Sequence, residues 1–311
     1  MTNDQNGTVT PTLEPFSSSE CIIWLTVLNI VAVAIVTMNA LTIIIYLKER
    51  ILRKRSMYLV ISLAVADIFA TYNLILQILL LGNDCNWWTI DPFRSFVVGS
   101  LTYFFPAASV TNLAAISLER MHATFRPFKH RLIKKKIFGA AVAGVWFTAA
   151  LSTAIVFSPF FLGRPDINIF HMEASYFSFQ ICCLFIIVVS YTSIATKVNC
   201  GKNPQHHGAI RRERKLTKTL FIVTIVSLIL VMPFTIFRVL ICVTSGELFE
   251  TISHETWLHL QSSLICLFYA NSVINPLLYA LKMPEFKRAL FLLLRCRSRS
   301  EPLQVFPLND I

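Results

Sequence analysis

Asn271-Ser272-Val273-Ile274-Asn275-Pro276-Leu277-Leu278-Tyr279 is the stretch on which the reading of this chain turns. It lies inside an apolar run, residues 257–281, yet carries two asparagines, a serine and a proline. Proline lacks a backbone N–H, so it frees a carbonyl one turn earlier and bends the helix. In hydrocarbon each such group must find its partner inside the protein, because lipid offers none. The segment is therefore suited to the interior of a helical bundle, where it can flex and bond to neighbouring helices.

Composition extends that reading to the whole chain. Of 311 residues, 55% are hydrophobic and 14% charged, against roughly 25% charged in soluble proteins. The apolar residues gather into seven runs, at 21–47, 57–81, 95–119, 137–162, 175–198, 216–243 and 257–281. Each is long enough to cross about 30 Å of hydrocarbon. The fold class is an all-α membrane protein: a seven-transmembrane helix bundle over residues 21–281, followed by a short amphipathic helix. A soluble all-α bundle does not account for this much apolar surface.

The cations set the orientation. They cluster after spans 1, 3 and 5 and in the tail: Lys48 to Arg55, Arg126 to Lys136, Lys197 to Lys218 and Lys282 to Arg299. Of 28 Lys and Arg residues only Arg94, Arg164 and Arg238 lie towards the other side. Positive charge concentrates in the cytoplasm. Residues 1–20 are then extracellular, and residues 282–311, holding the amphipathic helix and tail, are cytoplasmic. The net charge of +11 reports topology, and no nucleic-acid partner is expected. The polar start has no basic-then-apolar pattern, so span 1 is expected to serve as signal-anchor. Asn6-Gly7-Thr8 is a glycosylation sequon on the outer side.

Polar residues inside the spans point to function. They are Asn39, Asp67, Ser109, Asn112, Asn271, Ser272 and Asn275. A carboxylate at mid-membrane costs roughly 2.5–3.5 kcal/mol on insertion scales, so Asp67 must face the bundle. Two readings stay open. The cluster is a structural hydrogen-bond network, or Asp67 with Ser109, Asn271, Ser272 and Asn275 forms a small cation or proton site. Hard oxygen ligands suit sodium, and no protein cation lies near in sequence.

A second constellation sits at the cytoplasmic end. Glu119 and Arg120 close span 3, and Glu213 opens span 6, 20 residues before Pro233. An arginine that bonds Glu119 locally and Glu213 across the bundle would latch two helices below a proline hinge. After Tyr279, apolar Phe286, Leu290, Leu293 and Leu294 form one stripe with Lys287, Arg288 and Arg295 off it. That is an amphipathic helix lying on the membrane. Cys296 at its end is a palmitoylation candidate, with a plain reduced thiol as the alternative.

Together these residues resemble rhodopsin-like (class A) G-protein-coupled receptors, in a divergent form, over essentially the whole chain. The matches run in order: Asn39, Leu63-Ala-Val-Ala-Asp67, Glu119-Arg120-Met121, Trp146, Tyr191, Pro233 and Asn275-Pro276-Leu-Leu-Tyr279. The resemblance implies a plasma-membrane receptor that binds an extracellular ligand and activates heterotrimeric G proteins, with arrestin and receptor kinases as further partners. It implies no catalysis and no cofactor beyond an allosteric sodium ion. It casts Glu119, Arg120, Glu213, Tyr191, Pro233, Pro276 and Tyr279 as the switch. It also implies a ligand pocket of Thr102, Tyr103, Pro106, Phe179, Phe234, Arg238, Gln261, Ile265 and Tyr269. The ligand class left open is a small molecule, a lipid or a short peptide.

Departures from the family pattern matter as well. Ser95 replaces the span 3 cysteine, and residues 163–175 hold no cysteine, so the usual bridge to the second outer loop cannot form. Cys21, Cys85 and Cys242 lie towards the outer face, and any pairing among them is open. The usual span 5 proline is absent, and Val231 stands where span 6 usually has tryptophan. These losses resemble the group with melanocortin, lysophospholipid, cannabinoid and adenosine receptors. Thr102 occupies the position where amine receptors place an aspartate, which argues against biogenic amines. Arg238 either snorkels towards outer water, pairs with Asp166 or Glu173, or meets an anionic ligand group. A transporter, with Asp67 on an ion path, is the competing class, but no inverted repeat supports it.

Overall fold

The structure is a computed structural model that describes residues 17–49, 57–89, 92–161, 169–200, 209–244, 252–282 and 284–294. Among these residues the chain forms α1 (Ser18–Lys48), α2 (Met57–Asp84), α3 (Pro92–Phe125), α4 (Pro127–Leu132) and α5 (Lys135–Phe161). It continues through α6 (Ile169–Cys200), α7 (Ala209–Val243), α8 (His254–Lys282) and α9 (Pro284–Leu294). Seven are long. The short α4 and α9 lie beyond the ends of α3 and α8. The long helices overrun the apolar spans: α7 starts at Ala209, well inside a basic stretch. Helical propensity does not stop where hydrocarbon does.

Over their described residues, α1, α2, α5, α6, α7 and α8 are each long and apolar enough to cross a membrane by length and composition. Helix α3 packs against α2, α5, α6 and α7, so its polar side chains face protein. Ser109, Asn112 and Ser117 are buried, and Asn112 and Ser117 bond back to the carbonyls of Ala108 and Ala114. By contrast α1 and α5 expose apolar rows, with Ile30, Val33, Phe147 and Leu151 turned outward.

The remaining helices pack in sequence around α3, and α8 closes the ring against α1. In lipid, association rests on close van der Waals packing and interhelical hydrogen bonds. Ala66, Ala107, Ala108 and Ala149 are fully buried where α2, α3 and α5 approach, because small residues let backbones come close. A larger core lies towards the end from which α9 leaves, the C-terminal face, and contains Tyr46, Leu113, Ile187, Tyr191, Tyr279 and Phe286. Phe286 of α9 is 2% exposed and sits beside the rings of Tyr46 and Tyr279, which docks the amphipathic helix onto the bundle.

At the opposite, N-terminal face, α2 ends in a Schellman turn. Trp87 N–H donates to Gly82 O at 2.9 Å and Asn86 N–H to Asn83 O at 3.0 Å. Asn86 has φ 57°, the left-handed conformation that asparagine tolerates best among non-glycine residues. A Cβ at Gly82 would lie 1.9 Å from the Trp88 ring, so any other residue there displaces the indole that donates to Leu79 O at 2.8 Å. The turn presents Cys85 to the start of α1, and Cys21–Cys85 form a disulfide. This resolves the pairing that sequence left open. Cys242 is a buried free thiol.

Candidate functional site

The site begins with the carbonyl that Pro276 frees. Four residues back is Ser272, and its carbonyl accepts a hydrogen bond from Asn39 Nδ2 at 3.0 Å. The same Asn39 nitrogen also donates to Ile35 O at 3.0 Å. Helix α1 thus satisfies the group that the proline leaves bare in α8. This junction places the Ser272 and Asn275 side chains towards α2.

There they meet Asp67. Its Oδ1 accepts from Ser109 Oγ at 2.6 Å and from Ser272 Oγ at 2.9 Å, and its Oδ2 accepts from Asn275 Nδ2 at 3.3 Å. Asp67 is 0% exposed, and its three side-chain partners are neutral. Four of the five residues named for the cation site therefore meet. The fifth, Asn271, is buried, is not among the donors to Asp67, and has an unpartnered Oδ1. Asn112 Oδ1 is likewise buried without a partner. Ser227 of α7, not singled out from sequence, reaches Asn275 Oδ1 at 3.5 Å. Its hydroxyl is one of many in the spans, and nothing local marks it.

At the C-terminal face Arg120 is 7% exposed and its Nε lies 2.6 Å from Glu119 Oε2. The other carboxylate oxygen is 2.8 Å from His130 Nε2. Sequence reading assigned His130 no role. The signal was Pro127 at the start of α4, which redirects the chain back beneath α3. Glu213 lies within α7, but its side chain is outside the described residues, so the expected cross-bundle contact is not described. Tyr191 and Tyr279 are buried in one core, and Pro233 and Pro276 lie inside α7 and α8.

The third cluster lies in the N-terminal half of the bundle. Glu173 of α6, 9% exposed, pairs with Arg238 of α7 and accepts from Tyr103 OH of α3 at 2.7 Å. Of the two partners read for Arg238, the structure selects Glu173; Asp166 lies outside the described residues. Cys242 Sγ lies 3.8 Å from the same carboxylate, and Arg238 sits over the Phe177 ring at 5.7 Å. Tyr103 stacks edge-on with Tyr176 at 4.9 Å, and Phe234 lies 5.0 Å from Phe268.

Among the other pocket residues, Pro106, Ile265 and Tyr269 are buried, while Phe179, Phe234 and Gln261 are partly buried. The Thr102 side chain is outside the described residues. Sequence reading passed over Gln180, which donates to Tyr176 OH at 2.7 Å, while Tyr176 OH donates to Tyr103 O at 3.0 Å. Their spacing of four residues on one helix face was the available signal.

Comparison with known proteins agrees with this architecture. The family model described as "7 transmembrane receptor (rhodopsin family)" matches residues 38–279, most of the chain. A QRFP-like peptide receptor from Branchiostoma floridae is 25% identical over 300 residues, covering 86% of this chain and 77% of that protein. The substance-K receptor of Canis lupus familiaris is 22% identical, covering 94% and 80%. The octopamine receptor beta-3R of Drosophila melanogaster is 33% identical over 175 residues, 54% of this chain and 13% of that protein. With seven long helices, the ordered motifs and a family match across the bundle, the chain belongs to the rhodopsin family of seven-transmembrane receptors and is a G-protein-coupled receptor, not an enzyme.

Proposed function

We propose that this receptor sits in the plasma membrane with its N-terminus outside and binds a short peptide between α3, α6, α7 and α8. The peptide class is favoured by the Glu173–Arg238 pair, which offers both charges beside an aromatic lining. It is also favoured by the similarity to a QRFP-like peptide receptor along most of the chain. A purely anionic lipid would have to take Arg238 from a carboxylate already holding it. A simple amine would find Thr102 where amine receptors have an aspartate.

In the resting state Asp67, with Ser109, Ser272, Asn275 and Asn271, holds a sodium ion. The carrying observation is Asp67 itself: a buried carboxylate bonded by three neutral groups from two other helices. A buried charge without a counter-charge is costly, and a small hard cation supplies one. Agonist binding favours the state without sodium, opens the cytoplasmic end around Arg120, and a G protein captures it. Arrestin and receptor kinases engage the same end. Asn6 carries a glycan and Cys296 a palmitoyl chain; deglycosylation shifts and acyl-exchange labelling test these two sites.

The decisive experiment is nucleotide exchange on purified G proteins with receptor in lipid nanodiscs, screened against peptide, lipid and amine libraries. A peptide agonist whose affinity falls as sodium rises supports the reading. Ion current or tracer flux without G protein would support a transporter instead.

A further inference from the structure

The N-terminal face holds a group of side chains that the receptor reading does not use. Glu20 and Trp24 stand four residues apart on α1, so they share a face, and Glu255 and His259 do the same on α8. The two faces meet. His259 Nε2 lies 3.1 Å from Glu20 Oε1, and Trp24 Nε1 donates to His259 Nδ1 at 3.0 Å. One ligand atom from each of Glu20, Glu255 and His259 falls within 4.8 Å of the others. Cys21, next to Glu20, is disulfide-bonded to Cys85, which anchors this end of α1 to the end of α2.

We infer that Glu20, Glu255 and His259 form a zinc site that ties the outer ends of α1 and α8. Histidine nitrogen and carboxylate oxygen are both zinc ligands, and open zinc sites use three protein ligands with water at the fourth position. Zinc bonds of about 2.0–2.1 Å hold tetrahedral ligands about 3.3 Å apart. The Glu20–His259 pair already has that spacing, and only the exposed Glu255 side chain has to swing inward. The imidazole favours zinc over calcium or magnesium, which prefer all-oxygen sets. Outer-side access rests on the orientation proposed above; the donor geometry does not.

Trp24 supplies a signature of binding. Because the indole N–H donates to Nδ1, the neutral ring carries its hydrogen on Nε2, facing Glu20. Zinc at Nε2 moves that hydrogen to Nδ1, where it opposes the indole N–H. No proton is gained or lost by the ring, but the Trp24 bond breaks.

The test is zinc titration of the purified full-length receptor in nanodiscs, read by metal binding and by tryptophan fluorescence. One equivalent should bind with a fluorescence change that Trp24→Phe removes. Glu20→Gln and Glu255→Gln should each weaken binding at least tenfold. Glu255→Gln touches neither the disulfide nor Trp24, so its zinc-free melting temperature should match the parent and rule out misfolding. Zinc binding at unchanged affinity in both variants, or no zinc binding by the parent, overturns the proposal. Sodium-sensitive agonist binding is measured separately, so failure of the zinc site leaves the receptor reading standing.

Discussion

Two buried carboxylates in this bundle are treated in opposite ways. Glu173 is matched within the protein by a guanidinium and a phenol hydroxyl. Asp67 receives three hydrogen bonds from neutral groups. Both are polar sites in a membrane bundle, yet one is complete and the other has no counter-charge among the described residues. A completed pair holds helices together. An incomplete one invites a small cation and can be regulated by it. In the proposed reading, the receptor keeps a lock near its N-terminal face and a sodium-sensitive node at mid-bundle.

The largest expected effect comes from breaking the lock on one side. Glu173→Ala leaves Arg238 half-buried without a partner and should lower stability by about 2–3 kcal/mol, below the roughly 3–5 of a fully buried pair. Thermal unfolding of solubilised receptor reads this. The double variant Glu173→Ala with Arg238→Ala should recover most of the loss, since the stranded charge is gone. If the double variant is as unstable as the sum of the singles, the pair is not a unit.

Next is the node. Asp67→Asn should abolish the dependence of agonist affinity on sodium while preserving surface expression. The coupling removed is on the order of 1–3 kcal/mol, a 5–150-fold shift in affinity. A variant that keeps its sodium response would show that the ion binds elsewhere. Equal sodium sensitivity in the Glu173 variant and the parent would sharpen the contrast between the two acids.

The third acid, Glu119, is intermediate: it is paired to Arg120, which the proposed active state releases. Glu213→Ala should raise ligand-free nucleotide exchange several-fold, reflecting about 1–2 kcal/mol of bias. Unchanged basal exchange at matched expression would remove Glu213 from the switch. The smallest effect is expected at Ser109→Ala. It deletes one hydrogen bond to Asp67 and should weaken sodium coupling by about 1 kcal/mol, read as a roughly fivefold shift in the sodium concentration for half effect.

Much of this was legible beforehand, and the exceptions are instructive. Asp67, Ser109, Asn271, Ser272 and Asn275 read as one group because each is too polar for lipid and needs a partner; all but Asn271 meet at Asp67. His130 is an ordinary residue until a second helix meets it, and Gln180, bonded to Tyr176 on its own helix, joins a network only through Tyr103 of α3. The choice of Glu173 over Asp166 for Arg238 and of Cys85 over Cys242 for Cys21 was likewise hidden.

The physical reason is a difference in range. Whether a 25-residue segment enters a membrane depends on its own transfer energy, and whether proline frees a carbonyl depends on its own ring. Those properties are local, so the amino-acid order alone determined the spans, the Pro276 defect and the need to satisfy it. Which donor satisfies it depends on how helices rotate and cross, and that is settled by many small packing contacts acting together. Asn39 and Ser272 stand 233 residues apart and Asp67 and Ser272 205 apart. Only the assembled bundle decided that they meet.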